Sequence, residues 1–304
     1  MKKSILFSAM MLVFAFAISA QNDTLYVMKE GAVVVKYNVN TEIDSVIFYK
    51  PQTLSLVADM LDVEFNLDGT AIDVSPMGHT VTKIEQDHPF TVTLNTTYNR
   101  NVVNFSPAAN GVNLPEGEGS YYRIDYEGNT EFQDKLASGH SFETLVKFDV
   151  DYSAGDLDYE TKFFSTHQSG GTGFMIARKN AASGPNGLTF LPNVATTEGG
   201  GSRWIWANSQ VKPDGEKWYH LVGVWDKDAG KAYIYVNGEL KGEEDAIGFY
   251  RPAVLSAGLW IAIGGDPGNN VLQNPFAGSL TIARIYDKAL TAAEAEYLWS
   301  QIGK

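Results

Sequence analysis

Trp218-Tyr219-His220-Leu221-Val222-Gly223-Val224-Trp225, followed after Lys227-Asp228-Ala229-Gly230 by Lys231-Ala232-Tyr233-Ile234-Tyr235-Val236 and then Asn237-Gly238, is the stretch on which the fold turns. In Trp218–Trp225 the even positions are Trp, His, Val and Val, and the odd ones Tyr, Leu, Gly and Trp. A strand points successive side chains to opposite faces, so a run apolar on both faces belongs in the middle of a sheet rather than at its edge. Both boundaries are turn sequences, and Asn-Gly is the strongest short hairpin signal. The pair therefore predicts a central strand and its antiparallel neighbour.

Working outward, the same punctuation recurs. Tyr121–Tyr126, Phe142–Val150, Phe163–Ser165, Gly173–Arg178, Gly187–Leu191 and Arg203–Ala207 read as further short strands between Gly, Asn, Asp and Pro. Two stretches read as helix. Thr130–Leu136 is short, with Gly139 placed to end it, and Thr291-Ala292-Ala293-Glu294 is a capping box leading into Ala295–Ile302. Many evenly spaced strands with almost no helix predict an all-β, two-sheet antiparallel sandwich or jelly roll with a short C-terminal helix.

The N-terminus has another organisation. Lys2 and Lys3 precede an apolar run, Ile5–Ile18, then Ser19-Ala20 and the polar Gln21-Asn22-Asp23. That order predicts a signal peptide over 1–20 and export to the periplasm or beyond. Nothing later is long and apolar enough to predict a transmembrane segment. In 21–52, Thr24–Met28 and Ala32–Tyr37 flank Lys29-Glu30-Gly31 as a hairpin, and Ser45–Tyr49 adds a third strand. Three short strands bury little alone, so 21–52 is expected to be a small β-rich leader ahead of a main domain at 57–304.

Removing residues 1–20 leaves 284 residues, in which 21 basic side chains face 36 acidic ones for a net charge of −15. Such a chain repels phosphate backbones, which argues against a nucleic-acid partner. There is no cysteine. An exported domain without disulfides must rest on its core, and a lipid anchor has no thiol to attach to.

Segment 57–300 then resembles a laminin-G-like, concanavalin A-like jelly roll. Val63–Ser75, with Asp73-Val74-Ser75 as its turn, resembles the family's first strands, and Phe142–Phe148 the strand crossing the sandwich. Trp218–Asp226 with Ala232–Leu240 is similar to its strongest signature. Ile263–Asp266, Phe276–Leu280 and Ala283–Leu290 resemble its closing strands. The resemblance implies a fold that hosts lectins, adhesion domains, spacers and glycosidases, so function must come from a site.

Catalysis finds little support. A glycosidase needs two carboxylates about 5 to 9 Å apart, and the catalytic members this chain resembles set them on one strand as Glu-x-Asp-x-x-Glu. Glu42-Ile43-Asp44 lies outside the domain, and Asp156-Leu157-Asp158-Tyr159-Glu160 has the wrong residues and spacing. His79, His88, His140, His167 and His220 are scattered without a zinc-ligand spacing. Ser169 and Ser202 sit in no nucleophile elbow, and Gly117-Glu118-Gly119 is no dinucleotide fingerprint.

Binding is the remaining class, and no cofactor is required for it. Calcium is the one candidate ion, with Asp73, Asp266, Asn269 and Asn270 as ligands implied by the resemblance. A sugar needs an aromatic platform beside polar groups. Trp204 and Trp206 are two apart and share one strand face, with Arg203, Asn208 and Gln210 nearby and Trp260 and Tyr250 as further aromatics. Periodicity alone leaves open whether that face is core. The leading expectation is a secreted, non-catalytic module for extracytoplasmic carbohydrate. A protein-interaction or adhesion domain stands second, and a glycosidase with a departed motif third.

Overall fold

The computed structural model describes residues 24–29, 32–38, 56–105, 114–153, 160–166, 171–177, 186–251, 258–268 and 271–302. They fall into two units, 1–53 and 54–304. In the first, Thr24–Lys29 and Ala32–Asn38 form the expected antiparallel hairpin, Thr24 opposite Asn38 and Lys29 opposite Ala32, with an irregularity between Val27 and Met28. The signal peptide and the third leader strand, Ser45–Tyr49, lie outside the described residues.

The second unit is a two-sheet antiparallel sandwich. The larger sheet runs Glu239–Asp245, Lys231–Val236, Trp218–Asp226, His140–Phe148, Gly278–Tyr286, Leu61–Phe65 and Ala71–Asp73. The hairpin Thr91–Asn95/Arg100–Asn104 joins it through Gly278–Tyr286. The smaller sheet runs Ala207–Asn208, Gly187–Phe190, Gly173–Ala177, Thr161–Ser165, Trp260–Ile263, Tyr121–Asp125 and Thr82–Ile84. The outermost strand of the larger sheet, Glu239–Asp245, exposes alternating charges, which discourages pairing with another chain.

Trp218–Asp226 lies between two strands, as its two apolar faces require. The odd face carries Tyr219, Leu221 and Trp225 into the main core. The even face carries Val222 and Val224 into a second cluster with Tyr235, Tyr286, Leu290, Ala295 and Leu298. That cluster lies beneath the helix Ala292–Ser300, whose cap is the predicted Thr291/Glu294 box. One helix on the sheet's outer surface thus explains why this strand is apolar all round. The other helix, Thr130–Ser138, is capped by the Asn129 side chain accepting from the Phe132 N–H and ends at Gly139, φ 115°.

Between the sheets the core is aromatic. Phe142 meets Phe164 at 4.9 Å and Phe148 meets Phe163 at 5.7 Å, ring centre to ring centre, so each pair spans the sandwich. Gly223 is fixed by this packing, since a Cβ there would lie 2.2 Å from Cδ2 of Phe190 on the opposite sheet.

One element differs from expectation. Arg203–Ala207 is not one strand but the junction of two: Ser202–Trp204, in a separate three-stranded sheet with Asn193–Ala195 and Phe249–Tyr250, and Ala207–Asn208, at the edge of the smaller sandwich sheet. The Ile205 N–H leaves the ladder to donate to the Pro192 carbonyl, and the chain steps from one sheet to the other there.

Candidate functional site

Alternation along the smaller sheet sorts its side chains between core and outer face. Tyr122, Ile124, Phe174, Ile176, Leu188, Phe190, Ile205, Ala207, Ile261 and Ile263 enter the core. Their neighbours Met175, Leu191, Trp204 and Trp206 form a separate cluster on the other face. The question that periodicity left open is thereby answered: Ile205 and Ala207 point inward, and both tryptophans point away from the core, half-buried on Met175 and Leu191.

Strand pairing extends that face sideways. Lys162 stands opposite Met175, Met175 opposite Thr189, and Thr189 opposite Asn208. Asn208 donates its amide to the Thr189 hydroxyl at 2.6 Å. Lys162 is nearly sealed from solvent, and its ammonium donates to Asp266 at 2.7 Å while lying 3.2 Å from Glu160. The Ser165 hydroxyl donates to the other Asp266 oxygen at 2.9 Å. Burial pushes the Asp266 carboxyl up to about 6, against the pull of Lys162 and Ser165. The Lys162 ammonium also lies 5.8 Å from the Trp204 ring centre, within cation–π range.

Lys162, Ser165, Thr172, Gly173 and Leu191 pack closely beside Trp204, with no water-sized space left between them. The Thr172 hydroxyl is buried there with no hydrogen-bond partner. The accessible part of this face is thus the two half-buried indoles with Asn208 beside them, and the cation, its carboxylates and the hydroxyl lie beneath. It suits a ligand with an apolar face and a hydroxyl rim. It does not suit acid–base cleavage: Asp266 is 0 % exposed and salt-bridged, so its proton cannot reach a substrate oxygen.

The other predicted residues are dispersed. Trp260 opens the strand Trp260–Ile263 and is fully buried, because its neighbourhood is apolar on both faces. The guanidinium of Arg123 lies over its ring at 4.5 Å, and its indole N–H has no partner. Arg203 points away from the tryptophans and donates to the Asp245 carbonyl at 2.8 Å. Tyr250 is half-buried against Trp225 and His140.

Asp73 closes its own turn. Its carboxylate accepts the N–H groups of Asp62, Ser75 and His79, the Ser75 hydroxyl and the His79 Nδ1–H. Burial alone would raise that carboxyl, but these donors outweigh it and hold it at about 2. Asn269 and Asn270 lie outside the described residues. Among the described residues no three His, Cys, Asp or Glu side chains are grouped to hold a metal ion. The acidic stretches Glu42–Asp44 and Asp156–Tyr159 also lie outside them, leaving Glu160 beside Lys162.

Lys162, Ser165 and Thr172 escaped the sequence reading. Lys162 meets a partner 104 residues away, a pairing no local pattern reveals. The available signal was a lysine directly before the Phe163-Phe164 pair in the Thr161–Ser165 strand, since a buried lysine demands a counter-charge.

The model of the concanavalin A-like lectin/glucanases superfamily matches residues 116–296. The chain belongs to that superfamily. Among curated proteins no sequence relative matches. Similar solved structures include the botulinum neurotoxin serotype G binding domain, at 17% identity and TM-score 0.52, covering 80% of this chain and 50% of that one. The binding domain of botulinum neurotoxin DC in complex with SialylT has 13% identity and TM-score 0.51, over 81% and 52%. A type C neurotoxin structure, titled for cell entry that depends on two ganglioside molecules, has 14% identity and TM-score 0.52, over 80% and 51%. The chain therefore spans about half the length of these binding domains, and at such identities the likeness is one of fold. The superfamily's name covers lectins and glucanases alike, while these similar structures are binding domains. No described helix is long and apolar enough to cross a membrane.

Proposed function

We propose that this is an exported, non-catalytic carbohydrate-binding module, with the outer face of its smaller sheet around Trp204 and Trp206 as the sugar surface. The reading is carried by the direction of the two tryptophans, which turn away from an aromatic-rich core to lie half-buried on the sandwich's outer face. Buried tryptophan needs no explanation, but two indoles on the solvent side of a sheet do. A pyranose stacked on the faces of Trp204 and Trp206 would meet the half-buried Asn208 at its hydroxyl rim, with the sealed Lys162/Asp266 pair supporting Trp204 from beneath. The titles of similar domains, which name gangliosides and SialylT, agree with a glycan ligand without identifying it. Export rests on the pattern Lys2-Lys3, Ile5–Ile18 and Ser19-Ala20.

The test is binding of the chain from residue 21 onward to a broad panel of glycans and polysaccharides, in calcium and in EDTA. Saturable binding that weakens about tenfold or more in Trp204→Ala supports the reading. Loss in EDTA would add a metal to it. A panel without a single saturable ligand refutes it.

A protein partner is the second reading, favoured by one observation. The leader strand Ala32–Asn38 exposes Val33, Val35 and Tyr37, an alternating apolar row of the kind that strand addition uses.

A further inference from the structure

The larger sheet contains a fork. Gly278–Tyr286 pairs through Ser279 and Leu280 with Asn104 and Val103, and through Arg284 and Ile285 with Asp62 and Leu61. Between those contacts the strands 61–65 and 100–104 part, and a cleft of about 260 Å³ opens on the outer surface. Its walls are tied in place: the Asn101 amide donates to the Phe65 carbonyl at 2.8 Å, and the Thr281 hydroxyl to the Asn101 carbonyl at 2.7 Å.

The cleft holds two arginines in different states. Arg284 is committed, with Nε donating to Asp62 at 2.9 Å and Nη1 to Glu143 at 3.4 Å. Glu143 is itself fully buried and bonded to His220 and Tyr286. Arg100 is half-buried and lines the same cleft, yet among the described residues no carboxylate lies within ion-pair distance of it and its guanidinium makes no hydrogen bond. Burial and the neighbouring charge of Arg284 act against its cationic form, and the charges of Glu143, Asp62 and Glu64 offset them only in part; arginine cannot respond by losing its proton. An unpaired guanidinium aimed into a preformed polar cleft lacks an anion.

We infer that this cleft is a second ligand site, taking one sugar-sized hydroxylated monocarboxylate of the hexuronate kind. Arg100 grips the carboxylate through its fork, and Glu64, Asn66 and Asn99 at the rim take the hydroxyls. A single negative charge fits better than a phosphate, because Asp62 and Glu64 line the same cleft and the chain is acidic throughout, with a net charge of −13. The volume lies just under the range for drug-sized ligands, which leaves room for one ring.

The experiment is calorimetric titration of the full chain with sodium glucuronate, glucose and acetate, repeated on Arg100→Gln, Asn99→Ala and Trp204→Ala. Glucuronate is expected to bind with a Kd on the order of 1 mM. Arg100→Gln should weaken it by about 10- to 100-fold. Asn99→Ala, on an exposed turn, should weaken it a few-fold without touching the core. Trp204→Ala should leave it unchanged, so this site and the tryptophan surface stand or fall separately. Absence of saturable glucuronate binding, an Arg100→Gln protein that binds as well as the parent, or glucose or acetate binding as tightly as glucuronate would each overturn the inference.

Discussion

His140 ties the stability of the sandwich to acid. Its ring is fully buried, with Nδ1–H donating to the Leu136 carbonyl at 2.8 Å, and Nε2 has no partner among Trp225, Phe142, Phe190 and Tyr250. Burial pulls its pKa down to about 4, with the Leu136 bond opposing. In the unfolded chain the same group titrates near 6.5. The unfolded state therefore binds the proton first as pH falls, and folding loses free energy from pH 6.5 downward until the folded pKa is reached. From these two values the loss relative to pH 7 is about 2 kcal/mol at pH 5 and about 3 kcal/mol at pH 4. Asp73 and Glu143, each held at about 2, add losses of the same sign at lower pH. Asp266, raised to about 6, acts in the opposite sense between pH 4 and 6. The His140→Leu variant isolates the histidine, because these other groups are common to both proteins and the lost Leu136 bond costs the same at every pH. Urea unfolding followed by tryptophan fluorescence at pH 7, 5 and 4 should show the parent losing about 2 kcal/mol more than the variant between pH 7 and 5. Identical pH dependence within about 0.5 kcal/mol would refute the assignment of His140 as a neutral core residue.

Two further outcomes are expected. Gly223→Ala places a methyl 2.2 Å from the Phe190 ring and should cost about 1–3 kcal/mol, read as a lower Tm. Lys162→Met strands Asp266 without its cation and should cost about 3–5 kcal/mol at pH 8 and less at pH 5, where the carboxyl takes up a proton. A Lys162→Met/Asp266→Leu protein should regain most of that stability in the same denaturation assay.

How far the sequence speaks depends on how local the physics is. Trp218–Asp226, its turns and the Thr291 cap are local, set by alternation, φ > 0 at Asn237 and Gly238, and capping geometry, and they were legible. The direction of Trp204 and Trp206 was not, since a period of two assigns two faces but not which one meets the core. Trp260 misled because Trp260–Ile263 is buried on both faces. Lys162 with Asp266, and Arg100 beside Arg284, are produced by pairing between distant strands, and only the assembled sheets bring them together.

The pairing of Asp62 with Arg284 has a kinetic meaning. The first strand of the sandwich waits for the last, and His140–Phe148, at the centre of the larger sheet, gains one of its two neighbours only when Gly278–Tyr286 exists. A ribosome must therefore release nearly the whole chain before the sheet can close, and until then the nascent polypeptide stays open along its longest strands. The same adjacency brings both ends of the domain to one place, so a short linker between them and a new opening at the Lys227–Gly230 turn should yield a permuted protein with the same sheets.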